Sequence, residues 1–317
     1  MYIRYFVYFL LLSAIVACEN NPDKIELDNA ERIMEIDNNP RECLNLLQHM
    51  NYDSIATEKQ KARYGYLYAR SKHKLFQIMD SVRYIKQSVE YYRSKGDSPE
   101  LMSALFYYSN YYYEKDLNNE AIKRVMKARQ LAIKYNDDYW RGKIAELIAD
   151  ILEHSNNNYE AVKYRNESAK YYSKAGREDN ARYCYVDLAI AYNDIHDYDK
   201  CLELVDSIKN IAELQTDSVL LAYCYSTVYN AHIGNKDWEK CEIALNKFFS
   251  LSKFMSPKPY DYIYKAMILT QKNEYDSAEI ALNQVKNQKM TDNEKITFYQ
   301  TLRNFYKRKK NYEKALV

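Results

Sequence analysis

The histidines and cysteines are the side chains with which this sequence could bind a metal ion or carry out nucleophilic chemistry. The histidines, His49, His73, His154, His196 and His232, are scattered, with no pair four residues apart and no Cys-x-x-Cys motif near them. Zinc sites need such spacings. Glycine-rich phosphate loops, nucleophile elbows and His-Glu-x-x-His motifs are also absent from the sequence. We therefore expect no catalytic residue, no metal site and no cofactor.

Cys18 lies at the border between an apolar segment and a polar one. The apolar or small residues Phe6 to Ala17 follow Arg4, and about a dozen residues are fewer than the roughly 20 that a membrane-spanning helix needs. The sequence therefore predicts a signal peptide over residues 1–17. The segment Ile15-Val16-Ala17-Cys18 resembles the bacterial lipobox. This resemblance implies cleavage before Cys18 and attachment of lipid to its sulfur.

The lipobox resemblance also implies a location. Residues 18–23 become a polar tether, and Cys18 attaches the mature chain to a membrane of the bacterial cell envelope. Glu19 rather than Asp follows the cysteine, which does not match the inner-membrane retention signal, so we expect the outer membrane. The periplasmic or surface face is left open. An ordinary signal peptide with a chance cysteine is the alternative.

Four of the other cysteines form two pairs, each separated by 40 residues. Cys184 and Cys224 occupy equivalent positions, as do Cys201 and Cys241. Equivalence favours small buried side chains, because cysteine packs much as alanine does. A disulfide between Cys184 and Cys224 across adjacent helices is the alternative. Cys43 has no evident partner.

The composition predicts a nearly all-helical chain. Only 5 glycines and 5 prolines occur among 317 residues, too few for the turns of a β-rich fold. The net charge of +2 gives no electrostatic reason to expect nucleic acid as a partner. The 35 tyrosines suit helix packing and a binding face equally well.

A repeat runs through the C-terminal two thirds of the sequence. Each copy has a small residue just after a polar turn, usually with an aromatic residue two or three positions before it. The small residues are Ala121, Ala161, Cys201, Cys241, Ala278 and Ala315, at spacings of 40, 40, 40, 37 and 37. Such a unit holds two helices that cannot bury an apolar face alone, so successive units must stack.

The pattern resembles the tetratricopeptide repeat. The likeness lies in the helix periodicity, the small-residue positions and the aromatic-acidic-x-Ala turn, as in Tyr275-Asp276-Ser277-Ala278. It implies an all-α fold, a right-handed superhelical solenoid of about 7 to 8 antiparallel helix pairs. We predict irregular pairs over residues 24–97 and regular repeats over residues 98–317, the last one truncated.

The turn signals place the helix pairs along the chain. The regular pairs are predicted at about 98–135, 138–176, 180–214, 218–254, 258–288 and from 292 onward. Before them, the pair over 57–96 has a second helix that starts near Asp80-Ser81 as its N-cap and ends with Gly96 in a left-handed conformation. Pro40 is expected to open the second helix of the first pair.

In tetratricopeptide proteins the first helix of each pair lines a concave groove, so the resemblance implies a binding face there. The corresponding exposed positions include Phe106, Asn110, Tyr113, Glu146, Asp150, Glu153, Val186, Asn193, Tyr223, Asn230 and Tyr260. Asparagine amides can pair with a peptide backbone, and tyrosines offer rigid apolar area. The three carboxylates form either a solvated stripe or an acidic patch in the groove.

The leading hypothesis is a non-catalytic, lipid-anchored scaffold that binds a protein or peptide partner in this groove. The chain also resembles a group of lipoprotein or signal-bearing bacterial tetratricopeptide proteins, and some longer members continue into a transmembrane helix, a coiled coil and a DNA-binding or signalling domain. A second hypothesis is therefore the sensor half of a membrane-spanning transcriptional or signalling regulator truncated at residue 317. A third is an outer-membrane glycan-binding lipoprotein, against which the presence of only two tryptophans counts. The basic stretch Arg303 to Lys314 is expected to be a solvated helix end.

Overall fold

The computed structural model describes residues 22–311 and residue 315, and the described chain contains fifteen α-helices, one short 3-10 turn and no strand. In chain order the helices are α1 (Pro22–Glu35), α2 (Pro40–His49), α3 (Glu58–Lys74), α4 (Arg83–Ser94), α5 (Pro99–Tyr113), α6 (Asn118–Lys134), α7 (Asp138–His154), α8 (Asn158–Lys174), α9 (Glu178–Asp194), α10 (Tyr198–Leu214), α11 (Ser218–Gly234), α12 (Trp238–Ser250), α13 (Pro259–Gln271), α14 (Tyr275–Val285) and α15 (Asp292–Arg308). The all-α helix-pair fold predicted from the repeat is confirmed.

The described residues divide into two compact units. Unit 1 ends at Arg177 and holds α1 to α8, whereas unit 2 begins at Glu178 and holds α9 to α15. Within unit 1, each helix packs on the next, and the first helices α1, α3, α5 and α7 also contact one another in sequence. Within unit 2, α9 contacts α11 in the same way, and α13 contacts α15. First helices thus share a face, as stacked helix pairs require.

A residue in the left-handed conformation ends seven consecutive helices at intervals of 20 residues. These residues are Asp116, Asn136, Asn156, Gly176, His196, Thr216 and Lys236, with φ between 52° and 67°. The amide of the following residue bonds back to a carbonyl of the last helical turn, as from Asp137 N to Ala132 O at 3.1 Å. This geometry satisfies helix-end carbonyls and reverses the chain. Because this interval is constant, the six helices from α6 to α11 are all 17 residues long.

The six small residues of the repeat are buried. Ala121, Ala161, Cys201, Cys241 and Ala278 are fully buried, and Ala315 is 6% exposed. At the first crossing the Ser109 hydroxyl donates to the Ala121 carbonyl at 2.8 Å. The backbones of α5 and α6 can approach this closely because neither residue has a bulky side chain.

The predicted helix pairs agree with the structure to within a few residues, with one correction in α4. Gly96 has a φ of 95°, and Pro40 opens α2, both as expected. However, α4 begins at Arg83, and its N-cap Val82 makes no capping hydrogen bond. The carboxylate of Asp80 instead accepts the Tyr68 hydroxyl at 2.7 Å and pairs with Lys72 at 3.1 Å.

The signal peptide, Cys18 and most of the tether lie outside the described residues. None of the described helices combines the length with the apolar character that a bilayer crossing requires.

Candidate functional site

Four of the predicted groove residues line a single cleft in unit 2. The cleft has a volume of about 540 Å³, and residues of α9, α11 and the start of α13 form its walls. Its lining includes Asn193, Tyr223, Thr227, Asn230, Tyr260 and Asp261. This space, here called the unit 2 cleft, is within the size range of ordinary ligand sites.

Two asparagines line the unit 2 cleft. The Asn193 Oδ1 atom is buried and has no hydrogen-bond partner. The Asn230 Nδ2 atom donates to the Ser226 carbonyl at 2.8 Å within its own helix, which fixes the direction of the amide. A buried acceptor without a donor is costly, so Asn193 is suited to receive an N–H from a ligand.

A buried aspartate holds one wall of the unit 2 cleft in place. Asp261 is 5% exposed, accepts the Tyr229 hydroxyl, and accepts the backbone amide of Lys258 at 2.6 Å. Burial raises the pKa of this carboxyl, and the hydrogen bond from Tyr229 opposes the shift. The hydrogen bond from the Lys258 amide caps the first turn of α13, so the same carboxylate orders both the start of this helix and the Tyr229 side chain.

Aromatic rings provide the apolar part of the unit 2 cleft. The rings of Tyr260 and Tyr264 are stacked at 5.6 Å with an interplanar angle of 13°. Tyr229 lies 5.8 Å from the buried ring of Phe248. The Tyr223 hydroxyl donates to Asp187, so this ring is held from its polar end. These rings form a rigid surface that loses little entropy on binding a ligand.

The structure corrects the exposure expected at three predicted groove positions. Phe106 is 2% exposed, Asn110 is 7% exposed and Val186 is fully buried. Asn110 donates to Glu114 Oε1 at 2.6 Å, so its amide is used within α5. Tyr113 is half-buried, with its ring 5.8 Å from that of His154.

The three carboxylates of α7 form neither a solvated stripe nor an open acidic patch. Arg165 of α8, 7% exposed, donates to Asp150 at 2.6 Å and to Glu153 at 2.9 and 2.6 Å. Glu146 accepts the Tyr172 hydroxyl at 2.8 Å. All three side chains are half-buried. Their oxygens therefore bond with α8 across the helix pair, a role that spacing along α7 alone could not reveal.

Lys143 is a distinctive residue that the sequence patterns did not single out. Its ammonium lies over the rings of Phe106, Tyr107 and Trp140 at 5.0, 5.5 and 5.4 Å from their centroids. Burial lowers the pKa of this amine to about 8. The only available signal was its position three residues after Trp140, which puts both on one helix face.

The described cysteines serve as packing residues. Cys43, Cys184, Cys201, Cys224 and Cys241 are all buried. Cys224 is a free thiol, so the alternative disulfide to Cys184 is not formed. Burial raises the pKa values of the Cys201, Cys224 and Cys241 thiols to about 12, which keeps them protonated and poorly nucleophilic.

The comparisons with known proteins rest on structure alone, because no family model and no curated protein matches this sequence. A Rap protein is 13% identical, with 93% of this chain and 94% of that chain covered and a TM-score of 0.60. NprR is 15% identical, with 94% and 88% covered and a TM-score of 0.58.

A third similar structure is the STAND protein PH0952 from Pyrococcus horikoshii, which has a tetratricopeptide repeat sensor. It is 20% identical, with 90% of this chain and 44% of that chain covered and a TM-score of 0.63. At these identities the likeness shows the fold, a tetratricopeptide-like array of helix pairs.

Proposed function

We propose that this protein is a non-catalytic scaffold whose unit 2 cleft binds an extended segment of a protein or peptide partner. The observation that carries the proposal is that Asn193 lines the cleft and that its buried Oδ1 atom has no hydrogen-bond partner. Leaving such an acceptor unpaired costs about 1–3 kcal/mol, and a backbone N–H of a bound peptide removes that cost.

The rest of the cleft supports the same class of ligand. The stacked Tyr260 and Tyr264 rings give apolar area for a peptide side chain, and Asn230 supplies a second amide on α11, the first helix of the next pair. Peptide-binding sites commonly combine main-chain hydrogen bonds for affinity with pockets for side chains. The similar Rap structure is a complex with Competence and Sporulation Factor, and the similar NprR structure is a complex with its cognate peptide NprX.

A peptide selected from a random display library against the full chain tests this function. We expect Asn193→Ala to weaken binding of the selected peptide about fivefold to a hundredfold, because one buried hydrogen bond is lost. Asn210→Ala is the matched control, since Asn210 is exposed on α10, outside the cleft, and this variant should bind normally. Methylation of one backbone nitrogen of the peptide should reproduce the loss in the wild-type protein and add nothing in Asn193→Ala.

Two results would contradict the proposal. One is equal affinity of the Asn193→Ala and Asn210→Ala variants for every selected peptide. The other is a selected peptide that tolerates methylation at each backbone nitrogen.

We further propose that lipid on Cys18 anchors the scaffold at the cell envelope, on the basis of the lipobox resemblance. In a bacterial host, the full chain should incorporate labelled palmitate, and Cys18→Ser should abolish incorporation. Cys43→Ala is the control and should retain the label, because Cys43 is buried. Retention of label in Cys18→Ser would contradict the anchor without affecting the proposed binding in the cleft.

A further inference from the structure

A second cleft lies in unit 1, among the helices α4, α5 and α6. It has a volume of about 500 Å³ and a floor of Val89, Leu105 and Tyr108, which are 1%, 2% and 7% exposed. The cleft opens where α4 and α6 each pack on α5. We call it the basic cleft because lysine and arginine side chains make up most of its rim.

The rim has more positive than negative charge. Its cations are Lys86, Arg93, Lys123, Arg124 and Lys127, and its carboxylates are Glu90 and Glu120. Glu120 pairs with Arg124 at 2.7 Å and with Lys123 at 3.0 Å, while Glu90 pairs with Lys86 at 3.8 Å. The side chains of Arg93 and Lys127 form no hydrogen bond or ion pair with any described residue, so their charges are available to a ligand.

Arg124 is held rigidly at the edge of the basic cleft. Its guanidinium lies 4.5 Å from the Tyr108 ring centroid and 4.1 Å from that of Tyr112. One nitrogen also donates to the carbonyl and the carboxylate of Glu120, both at 2.7 Å. A planar cation fixed in this way loses little freedom when it meets an anion.

We propose that the basic cleft binds a small phosphate monoester with an apolar body, its phosphate against Arg93, Arg124 and Lys127 and its apolar part against the floor, where Tyr108 is the most exposed residue. A phosphate monoester has a charge of about −1.5 to −2 near neutral pH, which matches the two unpaired cations. The recessed floor and the cavity volume suit a single small molecule, because pockets of about 300–1,000 Å³ usually hold one. This inference is independent of the unit 2 cleft.

Calorimetric titration of the full chain with octyl phosphate tests the proposal. Inorganic phosphate lacks the apolar body and octyl glucoside lacks the charge, so each should bind at least about tenfold more weakly than octyl phosphate. Octyl phosphate that binds no tighter than inorganic phosphate would overturn the assignment of the floor. Equal binding of octyl glucoside would overturn the assignment of the rim.

A charge variant then locates the bound phosphate. The double variant Arg93→Gln and Lys127→Gln should bind octyl phosphate about tenfold more weakly. The control Lys59→Gln and Lys170→Gln changes the net charge equally at exposed sites on α3 and α8 and should bind normally. Equal weakening in both variants would mean non-specific attraction and would overturn the proposal. A different result would also overturn the proposal: phosphatidylglycerol vesicles bind, octyl phosphate does not, and only the Arg93→Gln and Lys127→Gln variant loses vesicle binding. The cleft would then be a membrane contact.

Discussion

Lys143 shows how the environment of one side chain affects the stability of unit 1. Burial is the largest cause that lowers its pKa from 10.5 to about 8, the charges of Arg70 and Lys74 add to the shift, and Glu146 opposes it. Between about pH 8 and pH 10.5 the unfolded chain binds a proton here that the folded chain has released. The free energy of unfolding therefore rises with pH across this window because of Lys143.

We predict that Lys143→Met stabilises unit 1 at pH 7 by about 1 kcal/mol, because the variant no longer buries an ammonium group. The gain should shrink between pH 8 and pH 10, where wild-type Lys143 becomes neutral. The free energy of unfolding is measured in urea, with the fluorescence of Trp140 as the signal in a Trp238→Phe background. Lys170→Met is the control and should change little, since Lys170 is exposed. A constant difference between Lys143→Met and wild type across the pH range would contradict the account.

Arg165 is a second residue whose buried environment affects the stability of unit 1. We predict that Arg165→Ala destabilises unit 1 by about 3 kcal/mol, because Asp150 and Glu153 lose the buried cation that balances them. Lys163→Ala on the same helix should cost less than about 0.5 kcal/mol, since its ion pair with Glu160 is exposed. The same urea unfolding assay measures both variants. A similar decrease in the free energy of unfolding for the two would contradict a larger contribution from the buried network.

At the residue scale the sequence identified part of the candidate site. Asn193, Tyr223, Asn230 and Tyr260 were predicted as groove residues, and they do line one cleft. The sequence did not show that Phe106 and Asn110 are buried, because Tyr107, Tyr108, Tyr111, Tyr112 and Tyr113 surround the helix with the same side chain. The bonds from Arg165 to α7 depend on how two helices face each other, which residue spacing along one helix does not specify.

At the scale of the helix pair, substitutions of the left-handed residue that ends each helix are expected to have opposite effects on stability at two equivalent positions. Thr216 is β-branched and has a φ of 55°, whereas Gly176 has a φ of 67°. L-residues with a side chain are strained in this conformation, and β-branched ones most of all.

We predict that Thr216→Gly stabilises unit 2 by about 1 kcal/mol and that Gly176→Ala destabilises unit 1 by about the same amount. An added Cβ at Gly176 meets no atom within 4 Å, so its cost would come from the backbone alone. Urea unfolding gives the sign of each change in free energy, with the fluorescence of Trp238 as the signal for the first variant and that of Trp140 for the second. The same sign for both changes would refute the backbone explanation.

The repeat was informative about helix ends because turn residues recur at a fixed interval. The start of α4 was predicted too early because Asp80 and Ser81 look like a cap in sequence. In the structure Tyr68 and Lys72 of α3 bind the Asp80 carboxylate, and the Ser81 hydroxyl accepts the Arg83 amide at 3.2 Å just ahead of the helix. These contacts of Asp80 come from another helix, and local sequence does not contain them.

For the whole molecule, the scarcity of glycine and proline and the 37- to 40-residue repeat were enough to predict stacked helix pairs. The division at Arg177 was not predicted, because the sequence repeat continues through residue 178 without interruption. The two clefts follow the same division. The unit 2 cleft lies on first helices that the repeat had marked, whereas the basic cleft involves α4, which precedes the regular repeats.

The most direct test of the central claim is hydrogen–deuterium exchange of the full chain with and without a library-selected peptide. The account predicts slower exchange in the segments that form the unit 2 cleft, at residues 187–194, 223–230 and 255–264, with α1 to α4 unchanged. The Asn193→Ala variant should show a smaller protection at the same peptide concentration. Protection confined to unit 1, or to the second helices α10 and α14, would contradict the claim that this cleft is the binding site.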